Sequence, residues 1–359
     1  MASLSPKTPL QRREGGADRA PVLLVAPHAT AELDTVASFV AGWPENRPEV
    51  AEEMNEWHDE GSGEAFEVCC TQLQAPGFRP ILPRGLMDLN RGWLGRTEEA
   101  ETLFGKGALS AWSKDGFSSE RQKEHLKVGA SELLETWYRN ALHEIRMASE
   151  LGHGMVEIHS YGDLGSTYDR LRGGRPLRRS EAAVVLSTPW ATQLPVGLAR
   201  LLPGDLRGTP KALERLVDEE LERAGFHLGP SPYPAQGPWA LSTRFLAARW
   251  FRWLAQKGHL PSATAEHLVT LAWCNEHDAE TEQVATGQLD ARNDHSRLQG
   301  VRELALRMGD WSHAASQLGD EFCKEAGCFT LVIEMRCDLV KSAEAFGTAI
   351  AEALRRYTA

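Results

Sequence analysis

The segment Val22–Pro27, VLLVAP, follows a proline, closes on a second one and is apolar throughout, and this run narrows the possible folds most. It is far short of the roughly 18 apolar residues that cross a bilayer. A run of this length reads as a strand buried on both faces, the habit of parallel sheets covered by helices on both sides. Further strand-like runs stand at Met155–Ile158, Ala182–Leu186 and Phe329–Met335. The stretch FRPILPRGLMDL, broken by prolines, reads as an edge strand that delivers Asp88, Asn90 and Arg91. Helical patterns lie between: from Gly61 and Gly63 to about Leu73, from a Ser119 cap through residue 150, from Lys211 to Ala224 before Gly225, and from Ser342 to Arg356. The 119–150 stripe is Leu126, Leu133, Leu134, Trp137, Leu142, Ile145 and Met147.

Strands alternating with helices predict an α/β fold: a doubly wound, mostly parallel (mixed) sheet with helices on both faces. Ligands of such sheets bind beyond the carboxyl ends of the strands. From about 246 to 320 the pattern is helical only, with stripes at Leu246, Trp250, Trp253 and Leu254, at Leu268, Leu271 and Ala272, and at Leu298, Val301, Leu304 and Met308. We read it as a helical insertion in a catalytic domain spanning 21–359, with polar 275–297 as a loop or solvated helix end. Residues 1–20 read as a disordered tail without the apolar centre of a secretory signal.

The 39 Lys and Arg against 50 Asp and Glu leave a charge of −11, a field that repels phosphate backbones and anionic lipid. Nucleic acid and membrane are therefore not the expected partners; a small molecule is. Six cysteines without a CxxC pair suit reduced thiols and a cytoplasmic setting. No GxxxxGK[ST], GxGxxG or GxSxG motif stands in its strand-to-helix context. NEHD at 275–278 falls in the polar stretch of the insertion and reads as a solvated loop.

His28 in APHAT and His159 in EIHSY each follow a β run directly, so neighbouring parallel strands can bring both imidazoles to one rim. A catalytic zinc takes three ligands from His, Asp or Glu and leaves a position open for water, and these two histidines can supply two of the three. Glu334 is unusual on its own account, because a charge inside FTLVIEM is costly to bury unless it sits at the strand exit or is paired. Arg336, on the same strand face, offers a structural ion pair as the other explanation.

Taken in order, PHAT, MDLNR, EIHS and IEMR resemble the landmarks of the N-formylglutamate amidohydrolase family, a branch of the zinc carboxypeptidase and aspartoacylase-like hydrolases. The resemblance covers roughly residues 20–245 and 325–357; TWYRNALHEIRMA and SPYPAQGPWALSTR are weaker matches. It implies a zinc-exopeptidase-like fold and hydrolysis of an amide bond in an N-acyl amino acid, with one Zn2+ per chain. By the same resemblance His28 and His159 are metal ligands and Asp59 is the acidic one, with Glu32, Glu56 and Glu60 as rivals. Glu334 then matches the general base and acid, Arg91 the arginine that polarises the scissile carbonyl or holds a substrate carboxylate, and Asn90 a substrate-binding amide. Asp88 is expected to orient Arg91. Arg175 and Arg244 match arginines that hold substrate carboxylates, whereas Arg178 and Arg179 read as solvated surface.

The chain departs from the family in its helical insertion and in SPYPAQGP, which stands where the family usually has DPYxGG. That leaves the acyl group open. Two alternatives accompany the amidohydrolase: a related zinc exopeptidase or deacylase, and a non-catalytic descendant whose insertion serves a partner protein.

Overall fold

A computed structural model of the chain describes residues 10–16, 21–30, 39, 58–84, 87–90, 127–162, 179–185, 196–203, 206–230, 241–274, 278–289, 296–309 and 313–359. The strands are β1 (Leu10–Arg13), β2 (Val22–Val25), β3 (Gly77–Pro80), β4 (Gly154–Tyr161), β5 (Ala182–Val185), β6 (Leu228–Gly229) and β7 (Phe329–Arg336). They form one sheet in the order β1-β3-β2-β4-β7-β5-β6. The run β3-β2-β4-β7 is parallel throughout, β1 and β5 join it antiparallel, and β6 lies parallel to β5. The sheet is therefore mixed and mostly parallel, as the alternation of apolar runs implies.

Helix α1 (Ser62–Leu73) connects β2 to β3, and α2 (Ala130–Ser149) connects β3 to β4. Since β3 and β4 flank β2 on opposite sides, two right-handed crossovers must place these helices on opposite faces. The core records that result. Val22, Leu24, Val156, Ile158, Leu331 and Ile333 pack on one face with Phe66 of α1, Leu213 of α4 (Lys211–Arg223), and Phe346 and Ile350 of α10 (Ala343–Thr358). Leu23, Val25 and Met155 pack on the other with Leu134 and Trp137 of α2, Phe245 and Trp250 of α5 (Leu241–Gln256), and Leu268 of α6 (Ser262–Cys274). Strand β4 is buried at every position because both of its faces are covered.

Several boundaries differ from the sequence reading. Leu10–Arg13, inside the expected tail, pairs with β3 and becomes the edge strand, so β3 lies one place inward of the edge. The described part of α2 starts at Ala130, because Gly129 turns the chain at φ 79; residues 119–126 lie outside the described set. Met147 is exposed, off the buried stripe of Leu134, Trp137, Leu142 and Ile145. Between β6 and β7 the described residues hold α5, α6, α7 (Ala279–Thr286), α8 (Ser296–Gly309) and α9 (His313–Glu325). Helix α7 occupies part of the polar stretch read as a loop, anchored by buried Thr281 and Val284. Asp278 of NEHD lies beside it and is bonded to His267 and Thr281. A short helix, α3 (Val196–Ala199), follows β5. No helix among the described residues is long and apolar enough to cross a membrane.

Candidate metal centre

The chain leaves β2 toward β3 on one side and returns to β4 on the other, so β2 and β4 border a topological switch point, where open α/β sheets form their ligand crevice. His28 stands just beyond β2, and His159 near the end of β4, within the strand instead of just past it. Both are buried, and their ring centroids are 5.0 Å apart. The two imidazoles converge.

Asp59 joins them through the backbone. Its N–H donates to the His28 carbonyl at 2.9 Å, and its own carbonyl accepts from the Ser62 N–H and hydroxyl. Gly61 allows this tight entry into α1: its φ is +81, and an added Cβ would lie 2.8 Å from the Met335 side chain. The turn faces the Asp59 carboxylate inward while Glu60 stays exposed. Burial thus separates Asp59 from Glu60; Glu32 and Glu56 lie outside the described residues.

Asp59 Oδ2 is 2.8 Å from His159 Nδ1 and 3.3 Å from His28 Nδ1. One ligand atom from each of the three residues falls within 4.8 Å of the other two. The far nitrogens face carboxylates: His28 Nε2 is 2.9 Å from Asp88 Oδ1, and His159 Nε2 is 3.3 Å from Glu157 Oε2. A carboxylate only accepts, so Asp88 and Glu157 can hold a proton on each Nε2, the tautomer in which each Nδ1 offers its lone pair to a cation at the shared centre. Histidine ligands of metals are commonly oriented this way. The fit extends to an orphan: His28 Nδ1 is buried with no hydrogen-bond partner, as a ligand nitrogen should be without its ion.

Electrostatics favour a cation too. Asp59, Asp88, Glu157 and Glu334 are all buried. Glu334 is the register partner of His159 across the parallel β4–β7 pair, so both side chains rise from the same sheet face. Burial opposes the His159 charge, yet hydrogen bonds to Asp59 and Glu157, with the Asp59 and Glu334 charges, push its pKa up to about 10. Burial likewise raises the Asp59 carboxyl, but the His28 charge, the hydrogen bond from His159 and the His159 charge outweigh it and hold it below its ordinary value. Asp59 thus remains ionised although buried and places negative potential on the two Nδ1 atoms.

Asn90 is buried with its amide nitrogen 3.4 Å from His159 Nε2, and its Oδ1 has no hydrogen-bond partner. Asp88 holds His28, receives the Asn90 N–H at 2.9 Å and accepts from Arg84 Nε at 3.0 Å; its expected partner Arg91 lies outside the described residues. Arg91 and Arg175 lie outside the described residues, as do Arg170, Arg172, Arg178 and the SPYPAQGP segment. Arg336 does not show the suggested ion pair with Glu334; it binds Asp338 at 2.6 Å and the Arg179 carbonyl at 2.8 Å. The Arg179 guanidinium stacks over Tyr161 instead of standing free in solvent.

Arg244, in the described part of α5, is 2% exposed and among the described residues bonds to neutral groups, the Trp273 carbonyl at 3.0 Å and the Tyr138 hydroxyl at 3.4 Å. Its Nη2 has no hydrogen-bond partner. Two site residues escaped the sequence reading. Arg84 has no distinguishing pattern. Glu157 does: it interrupts the apolar run GMVEI as Glu334 interrupts FTLVIEM, two positions before a histidine and hence on its face.

No family model and no curated protein matches the chain. Among solved structures, an N-formylglutamate amidohydrolase from Ralstonia eutropha JMP134 aligns at 12% identity and a TM-score of 0.49, over 98% of this chain and 100% of that one. Gene product Atu2144 from Agrobacterium tumefaciens aligns at 14% identity and a TM-score of 0.42, over 98% of this chain and 97% of that one.

Proposed function

We propose that this chain is a metal-dependent hydrolase that cleaves the amide bond of an N-acyl amino acid, with an N-formylglutamate-like compound as the first substrate to try. The observation that carries the reading is the buried His28, Asp59 and His159 group at the sheet's switch point, with the Glu334 carboxylate beside it. Two imidazole nitrogens and a carboxylate oxygen are a donor set that suits zinc. A divalent ion held there supplies a Lewis acid that acidifies a water molecule and polarises a carbonyl oxygen.

Protein groups do the rest. Asp88 and Glu157 keep the two imidazoles turned with Nδ1 inward. Glu334, in the same layer as His159, takes the proton of the attacking water on its carboxylate and returns it to the departing amine nitrogen. Arg91 follows Asn90 in the chain and is assigned to the carbonyl oxygen or to a substrate carboxylate, and Asn90 to the acyl amide. Arg244 is a buried cation among neutral partners with an unused N–H group, so a substrate carboxylate would complete its bonding. Arg175 keeps a carboxylate-binding assignment from the sequence alone. The fold residues between 246 and 320 form the helical insertion of a single catalytic domain. We place the protein in the cytoplasm, acting on a small molecule.

The non-catalytic alternative drew its strength from a possible wide separation of the two histidines, and 5.0 Å between their rings removes that support. The test is metal analysis of the purified chain together with hydrolysis of N-formyl-L-glutamate, beside acetyl, succinyl and peptide substrates, for wild type and His159→Ala. About one metal per chain and activity lost in the variant are expected. A wild-type protein that takes up no stoichiometric metal refutes the proposal, while activity confined to another substrate transfers it to the exopeptidase or deacylase class.

A further inference from the structure

We infer that Glu157 is a positioning residue of this centre: it locks His159 for metal binding and ties that ligand to helix α5. The inference rests on the metal reading above. Glu157 is 0% exposed, and its two oxygens serve different masters. Oε2 faces His159 Nε2 at 3.3 Å, and Oε1 accepts the backbone N–H of Ser242 at 2.5 Å. Ser242 is the second residue of the described part of α5, and its N–H is given to Glu157.

The arrangement needs acceptors on two separate atoms, one for each donor, and of the side chains of this length only the glutamate carboxylate offers an oxygen to both. An amide of the same size has one oxygen. If that oxygen serves Ser242, its NH2 confronts Nε2, which then has to accept, and the imidazole proton moves to Nδ1, where the metal belongs. If it serves His159, NH2 confronts the Ser242 N–H and the start of α5 is displaced. Either way the ligand is compromised without any change in the ligand set. Because α5 carries Arg244 two residues after Ser242, the same carboxylate also holds the backbone from which that arginine projects.

The experiment strips the full-length chain with chelator and titrates Zn2+ and Co2+ against a chromophoric competitor, for wild type, Glu157→Gln and Glu157→Asp. Loss of an outer-shell partner typically costs about 10–100-fold in metal affinity, and Glu157→Gln should fall in that range with an altered cobalt absorption spectrum. Glu157→Asp keeps the charge and both acceptor oxygens on a shorter arm, so it should fall between the two. The melting midpoint of each metal-free chain is recorded in parallel. A residue that only supports the fold lowers that midpoint and leaves the affinity of the folded chain unchanged. Wild-type affinity in Glu157→Gln, within about twofold, overturns the inference and leaves the metal reading standing; a wild-type chain that binds neither ion overturns both. Should the Gln chain not fold, Glu157→Asp carries the test, and wild-type affinity in it is the overturning result.

Discussion

Exchange of Asp59 for Asn tests whether the three-residue cluster is a metal site or a buried ion-pair network. The side chain keeps its size, but the oxygen that faces both Nδ1 atoms loses its charge. A ligand that binds only the folded chain stabilises it by RT ln(1 + [L]/Kd), about 4.1 kcal/mol at a thousandfold excess over Kd. At about 2.1 cal/mol/K per residue, the unfolding entropy of 359 residues is about 0.75 kcal/mol/K, so the loaded wild type should melt about 5 °C above the stripped form. An affinity about 100-fold weaker in Asp59→Asn brings the same metal concentration to about ten times Kd, which gives about 1.4 kcal/mol, or about 2 °C. The stripped variant should itself melt below the stripped wild type, since His159 loses a charge-assisted hydrogen bond that is typically about 1.5–3 kcal/mol. The assay is differential scanning fluorimetry across a zinc titration. If the ion pairs alone account for the cluster, the stripped midpoints differ and neither protein responds to metal. A zinc-dependent rise equal in both proteins would refute the assignment of Asp59 as a ligand.

Glu334→Gln should bind metal within a few-fold of wild type and lose about 10²–10⁴ in turnover, the range for a general base, as read by metal titration beside kcat; full activity would remove Glu334 from the mechanism. Gly347→Ala should lower the melting midpoint, because its Cβ would stand 2.6 Å from the Ala65 carbonyl oxygen and 3.0 Å from the Ala65 Cα, so α10 and α1 must separate at a cost of about 1–3 kcal/mol; an unchanged midpoint refutes the close approach. Glu220 of α4 is held below the ordinary glutamate range by hydrogen bonds from Arg223 and, against some desolvation, Arg356 of α10. A depressed folded pKa contributes stability above the unfolded value, near pH 4.5, that is lost as pH falls through the folded one. The gap in urea midpoint between wild type and Glu220→Gln should therefore be larger at pH 7 than at pH 3, and an equal gap at both refutes the linkage.

How much of this was legible in the chain depended on whether a signal was local. Val22–Val25 announces a strand because each of its residues is apolar, and burial on both faces demands that. Leu10–Arg13 is polar at three of four positions and forms a strand only because β3 offers an unpaired edge, a fact of the assembled sheet and not of the segment. The histidines were legible through position, each standing at the end of an apolar run. The choice of Asp59 over Glu60 was legible only through the resemblance, since physically it turns on the direction in which a turn at Gly61 faces two adjacent acids. Glu157 is the instructive omission. The argument that marked Glu334, a charge that cannot be buried without partners, applies with equal force to an acid inside GMVEIHSY, and its partners are one strand position pair and one helix start away. A buried acid two residues before a ligand histidine on a strand shares its face by geometry, so strand periodicity alone would have placed it beside His159. What the sequence could not supply was the second donor: the Ser242 N–H comes from a helix more than eighty residues downstream, brought over the sheet by the packing of α5.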